Sequence, residues 1–213
     1  MKPRWNDEYW LLLMQIYIKK PAGVKPIYSR DMVNLALELH LPPKYLYRKM
    51  FSLRSLETPR LERLWNTYAK SPRKLAKGVN LLRRMHGFNN ADLFYEGVEV
   101  NESFETDFKS LPECPQLTPM MLVIILDLYF RLTPNTMVAS TPEIIDMAKK
   151  MSVTPQLIVD AMIAFQHCDP YLRKKDTPDQ SLSKPCKAIW QRYGNNDPSE
   201  LASYAAQLIE YFK

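Results

Sequence analysis

Glycine is scarce. Five glycines stand against seventeen prolines in 213 residues, and both phosphate-cradling loops and tight β-hairpins depend on glycine at positive φ. The sequence accordingly contains no dinucleotide fingerprint and no P-loop, and a hairpin-rich β fold is excluded. Cysteine is scarcer still. Cys114, Cys168 and Cys186 form an odd set without C-x-x-C spacing, and only His167 among the three histidines adjoins one of them. Neither a disulfide framework nor a metal site is indicated, and no cofactor is expected. The thiols read as buried and reduced. A nucleophile pair of Cys168 and His167 requires convergent side chains, whereas neighbours on a helix diverge by about 100°. His40 and His86 adjoin expected helix ends, where solvated or capping roles are routine. No apolar stretch reaches the roughly 18 residues that span a bilayer, so no membrane is expected as a partner. The opening residues Met1-Lys2-Pro3-Arg4-Trp5-Asn6-Asp7-Glu8 carry acidic groups where a secretory signal has its apolar segment, and the expected location is the cytoplasm.

What the chain does have is an uneven charge. Residues 1–85 carry 18 Lys and Arg against 6 Asp and Glu, a net +12. Residues 86–117 carry a net −6, and residues 118–213 are neutral. A basic region of this kind suits a nucleic-acid partner.

The sequence also repeats itself. A shift of 112 places Leu11 to Tyr17 on Val123 to Tyr129, and aligns Ala36 with Ala148, Pro43 with Pro155 and Met50 with Met162. After Tyr171 the second copy has about thirteen extra residues, beyond which Trp65 falls on Trp190 and Tyr68 on Tyr193. The order of matches is kept along the unit, as in tandem copies. Thr58-Pro59, Ser71-Pro72, Thr118-Pro119, Thr141-Pro142, Thr154-Pro155 and Asp197-Pro198 each precede helical apolar spacing. In such a pair the first residue caps an orphan N–H, and the proline fills a position whose N–H has no partner. The expected helices are 6–19, 29–39, 43–54, 59–68 and 72–85 in the first copy. In the second they are 119–132, 141–151, 154–167, 185–193 and 198–212. Gly87 and Gly194 follow helix ends, where a left-handed residue is expected. The fold class is therefore all-α: two tandem helical repeats of about five helices each, 1–85 and 118–213. The acidic connector 86–117 joins them. Its Phe88, Phe94, Tyr95, Phe104 and Phe108 are too many aromatics for a free linker.

Helices 2 and 3 of each copy resemble a helix-turn-helix. The resemblance is carried by Ala36, His40, Leu41 and Leu46, and again by Ala148, Ser152, Val153 and Ile158, in the order small residue, turn, apolar, apolar. Glycine is usual at the turn, where this chain has His40 and Ser152. A second resemblance rests on Trp5-x-x-Glu8, Tyr17, Pro142-Glu143-Ile144 with Met147-Ala148, Phe165 with Asp169-Pro170, and Ile189-Trp190 with Tyr193. These residues are similar to the helical module that precedes HNH nuclease domains in bacterial restriction-type proteins. The resemblance implies a DNA-contacting accessory without the HNH part. The whole chain also resembles a bacterial all-helical family to which no activity is attached.

Helix 3 of the first copy carries the functional expectation. With Leu46, Met50 and Leu53 turned inward, Lys44, Tyr47, Arg48 and Phe51 fall on the opposite face, where phosphate and base contacts are made. Arg60, Arg63, Arg73, Lys74 and Lys77 extend that surface. The equivalents of Lys44 and Arg48 in the second copy are Gln156 and Asp160, and an aspartate repels phosphate. The expected function is non-catalytic binding of nucleic acid, double-stranded DNA in particular, through the first repeat. The acidic connector, from Asp92 to Glu113, would restrain it. The competing reading is a protein-interaction scaffold that uses the second repeat with Phe94, Tyr95, Phe104 and Phe108. Trp65, Tyr68, Trp190 and Tyr193 read as core anchors rather than a stacking platform. Glu99, Glu102, Glu105 and Asp107 define no general acid and base pair.

Overall fold

A computed structural model describes residues 5–85, 88, 104–172 and 180–213. Among them every regular element is helical. The chain divides into two compact units, Met1–Asn101 and Glu102–Lys213. His86, Gly87, Phe94, Tyr95, Glu99 and Glu102 lie outside the described residues.

The first unit contains α1 (Tyr9–Ile18), α2 (Arg30–Leu39), α3 (Pro43–Ser55), α4 (Pro59–Tyr68) and α5 (Pro72–Arg84). Helix α1 is its axis, packing on α2, α3 and α5. Trp10, Leu12, Leu13 and Met14 of α1 are buried with Met32, Val33 and Ala36 of α2, Leu46, Met50 and Leu53 of α3, and Leu75 and Val79 of α5. Each large apolar side chain so enclosed contributes about 1.5–3 kcal/mol relative to exposure.

The second unit contains α6 (Pro119–Arg131), α7 (Pro142–Met151), α8 (Pro155–Cys168), α9 (Gln180–Tyr193) and α10 (Pro198–Ile209). Short 3-10 turns cover Phe104–Phe108, Pro134–Thr136 and Glu210–Phe212. Helix α6 is buried all round from Met120 to Tyr129, because α8, α9, α10 and the Phe104–Phe108 turn all pack on it. Its one buried charge, Asp127, is held by Arg131 one turn on, at 2.9 Å.

Among the described residues, seven of the ten α-helices begin at proline. The preceding side chain is a true cap in four of the six expected cases. Thr58, Thr118 and Thr154 accept from the N–H of Leu61, Met121 and Leu157, each at 3.3 Å, and Asp197 accepts from Ser199 N–H at 2.8 Å. Ser71 and Thr141 make no such bond. The Thr141 hydroxyl donates to the Thr136 carbonyl instead, which uses it to close the preceding turn.

Two expectations are corrected by packing. Helix α9 begins at Gln180 rather than 185, and Pro185 lies inside it. Leu182 is buried with Cys186, Ile189 and Trp190, so the apolar stripe draws the chain into helix a turn ahead of the proline. Gly194 is not left-handed; among the described residues the left-handed helix ends belong to His40, Leu56 and Ser152. A Cβ on Gly194 would lie 2.6 Å from Trp190 Cδ2, so glycine is required there by the approach of the indole ring.

Candidate nucleic-acid interface

The turn between α2 and α3 is built from backbone bonds. His40 takes φ +52° and ψ +37°. Its N–H donates to Leu37 O at 3.4 Å, and Leu41 N–H donates back to Ala36 O at 3.0 Å. This pairing of orphan carbonyls closes a helix end on a left-handed residue. Between α7 and α8, Ser152 takes φ +58° and ψ +41°. There Ser152 N–H donates to Lys149 O at 3.3 Å and Val153 N–H to Ala148 O at 3.0 Å. The left-handed conformation that glycine adopts freely is thus imposed on a histidine and a serine, at about 1–2 kcal/mol each. Two carbonyls are satisfied in return.

This turn presents α3 with one face closed and one open. Leu46, Met50 and Leu53 are fully buried. At about 100° per residue, Lys44, Tyr47, Arg48 and Phe51 share the opposite face. Lys44 and Arg48 are exposed, Tyr47 is half-buried, and Phe51 is 40% exposed. The Tyr47 and Phe51 rings meet edge-to-face, centroids 5.1 Å apart. Arg54, exposed one turn beyond Phe51, continues this face and was not among the expected residues. Its spacing from Phe51, three residues, was the available signal.

The remaining cations divide. Arg60 is paired with Asp7 at 2.6 Å, and Arg63 Nε donates to Pro59 O at 3.3 Å within its own helix. Both are partly spent on the fold. On α5, Arg73 and Lys77 are exposed one turn apart, and Arg84 continues their stripe. Lys74 lies over the Tyr68 ring at 5.4 Å from its centroid.

Two carboxylates of α2 are held by cations. Asp31 accepts from Lys19 at 2.7 Å, and Glu38 takes both a 2.6 Å and a 2.8 Å bond from Arg83. These hydrogen bonds hold the Arg83 guanidinium further toward its charged form. Each of the two pairs neutralises one carboxylate together with one cation of the first unit.

Lys49 has a different task. Its ammonium lies 5.1 Å from the Trp5 ring centroid, 5.4 Å from that of Trp10 and 5.7 Å from that of Tyr45. An ammonium enclosed by three π faces is attracted to each. It ties α3 to α1 on the flank away from Lys44 and Arg48. An open depression of about 700 Å³ beside Trp5, Asn6, Asp7, Glu8, Tyr9 and Arg60 has a paired arginine and two carboxylates in its wall, which disfavours an anion.

The second unit lacks this surface. At the positions 112 residues beyond Lys44, Tyr47, Arg48 and Phe51, Gln156 donates to Asp160 at 2.9 Å, Val159 is buried, and Ile163 is partly exposed. Among the connector residues that are described, Asp107 receives a fork of bonds from Arg192 at 2.8 and 3.1 Å. Phe104 and Phe108 are half-buried, with Phe108 5.8 Å from Tyr211. Trp190 is buried among Tyr129, Phe130 and Phe165, whereas Trp65 is half-buried against Tyr17. The Cys168 thiol donates to Ala164 O at 3.5 Å, and burial pushes its pKa up, the reverse of nucleophile activation. Among the described residues no three His, Cys, Asp or Glu side chains are grouped to hold a metal ion, and no helix is long and apolar enough to cross a membrane.

The chain matches no protein-family model, no curated protein and no solved structure.

Proposed function

We propose that the first unit binds nucleic acid through the outward face of α3, as a non-catalytic accessory or regulatory module. The helix-turn-helix resemblance implies double-stranded DNA, and the cations of this face act on the phosphates of a duplex or of a single strand alike. The observation that carries this reading is the placement of Lys44 and Arg48. Both are exposed on a helix whose other face is sealed by Leu46, Met50 and Leu53. The α5 cations Arg73 and Lys77 add sequence-independent attraction to the phosphate backbone.

Electrophoretic mobility shift of a duplex by the full chain at low salt tests the reading. Lys44→Glu with Arg48→Glu should abolish the shift while leaving the helical circular dichroism intact, since both side chains are exposed. For wild type, log K should fall with log salt by about 0.9 per phosphate neutralised. An undiminished shift by the charge-reversed variant would make α3 a packing element only.

A protein partner for the second unit is the second reading, and Val138, Ile163, Tyr171 and Leu172 are the apolar residues it has exposed for such a contact. Such a contact should survive high salt and be lost in Ile163→Glu.

A further inference from the structure

We infer that the α3 face takes nucleic acid with unpaired bases in preference to duplex, because Tyr47 and Phe51 form a stacking platform inside a row of cations. The inference rests on the proposed function and names the form of nucleic acid that the site selects.

Phe51 is only partly enclosed. Leu46, Met50 and Leu53 already close the inner side of α3, yet Phe51 keeps 40% of its surface in water between Arg48 and Arg54. An exposed ring is not unusual in itself, but this one stands between cations on the face of α3 that the core does not use. Tyr47 defines how it is presented. The two rings lie 5.1 Å apart with an interplanar angle of 80°. In an edge-to-face pair each ring uses at most one of its faces. The contact with Tyr47 therefore leaves Phe51 at least one π face, and the exposed 40% of Phe51 is the part open to a third ring.

The charges around the platform suit a single strand. Lys44 and Arg48 lie on one side of Phe51 along the helix and Arg54 on the other, across about 15 Å of axis. A strand laid along α3 would place a base on Phe51 and phosphates near the cations before and after it. Single strands are bound in this way, by aromatic faces that accept any base and a basic track for the backbone. A helix in the major groove of a duplex meets base edges and thymine methyl groups, so an aromatic ring there packs against methyl groups and does not stack on a base. The second unit has neither component, since the matching positions are Gln156, Val159, Asp160 and Ile163. Ile163 is also partly exposed, which makes it an internal control for apolar exposure without a π face.

The experiment is fluorescence anisotropy with the full chain at low salt. The probes are a labelled oligothymidylate of about twelve nucleotides and a labelled mixed-sequence duplex of about twelve base pairs, lengths within the usual range for one such site. Wild type should bind the single strand more tightly. Phe51→Ala should weaken single-strand binding by roughly tenfold or more, the effect of losing one base–aromatic stack. It should weaken duplex binding by a smaller factor, since only apolar contact with methyl groups is lost, and leave the salt dependence unaltered, because no charge is removed. Phe51→Trp should restore single-strand binding, and Ile163→Ala should have no effect on either probe. Tighter binding of the duplex, or equal losses for both probes in Phe51→Ala, would overturn the inference while leaving nucleic-acid binding by α3 standing. Binding of neither probe by wild type would overturn both.

Discussion

Replacing Gly194 by alanine should destabilise the second unit through a single ring. A Cβ at this position would lie 2.6, 2.7 and 2.9 Å from Cδ2, Cε2 and Cγ of Trp190. Those separations are well inside van der Waals contact, so either the indole or the helix end must move. The indole has little room. Trp190 is 8% exposed, and its ring is enclosed by Tyr129, Phe130 and Phe165 at centroid distances of 6.0, 5.6 and 6.4 Å. Overpacking of such a site costs about 1–3 kcal/mol. At about 4–8 °C per kcal/mol in a domain of roughly this size, the melting temperature should fall by about 4 °C or more. Gly78 supplies the opposite case. It lies within α5, and its added Cβ would meet Leu11 and Tyr68 at 3.8 Å, an ordinary contact. Gly78→Ala should therefore stabilise by about 0.5–1 kcal/mol, since glycine in a helix interior has more conformational freedom to lose on folding. Intrinsic fluorescence distinguishes the units, because Trp5, Trp10 and Trp65 belong to the first and Trp190 to the second. Thermal and urea unfolding of both variants should move the two signals in opposite directions. A Gly194→Ala protein that melts at or above the wild-type temperature would show that Trp190 has slack, and would refute the steric account.

Ser152→Gly should stabilise by about 0.5–1 kcal/mol in urea unfolding, because relief of the left-handed penalty exceeds the entropy that glycine loses; Ser152→Val should do the reverse. Thr118→Ala and Thr154→Ala should each cost about 1 kcal/mol, whereas Ser71→Ala should cost little because that hydroxyl makes no cap bond. Tyr129 is desolvated and donates to Asp169 Oδ2 at 2.8 Å, which raises its pKa above the ordinary value of 10.0. The folded state thus holds the phenol proton more tightly, so this contribution is complete below pH 10 and is lost as pH rises from there toward the folded value. Urea midpoints measured on either side of roughly pH 10 should fall more steeply for wild type than for Tyr129→Phe; equal slopes would remove Tyr129 as a cause.

Much of the local architecture was legible in the residues, because the signals act within one helical turn. Proline at the first helical position has no N–H to leave unpaired, and seven of the ten described α-helices begin with one. The outward and inward faces of α3 followed from the 3.6-residue period alone, as did the exposure of Lys44 and Arg48 opposite Leu46, Met50 and Leu53. Other outcomes depended on partners remote in the chain. Arg60 looked available until folding brought Asp7 to it, 53 residues away, and Asp107 stood among the connector carboxylates expected to restrain the first repeat until Arg192 met it across 85 residues. Glycine at 194 suggested backbone freedom; it is required because the folded second unit fixes the Trp190 ring against it. Trp65 and Trp190 occupy matching positions in the sequence, yet α9 packs on both α6 and α8, while α4 leans on α5 and buries only Leu61. Local periodicity states which side of a helix is apolar, but how deeply that side is buried is decided by the neighbours that long-range packing supplies.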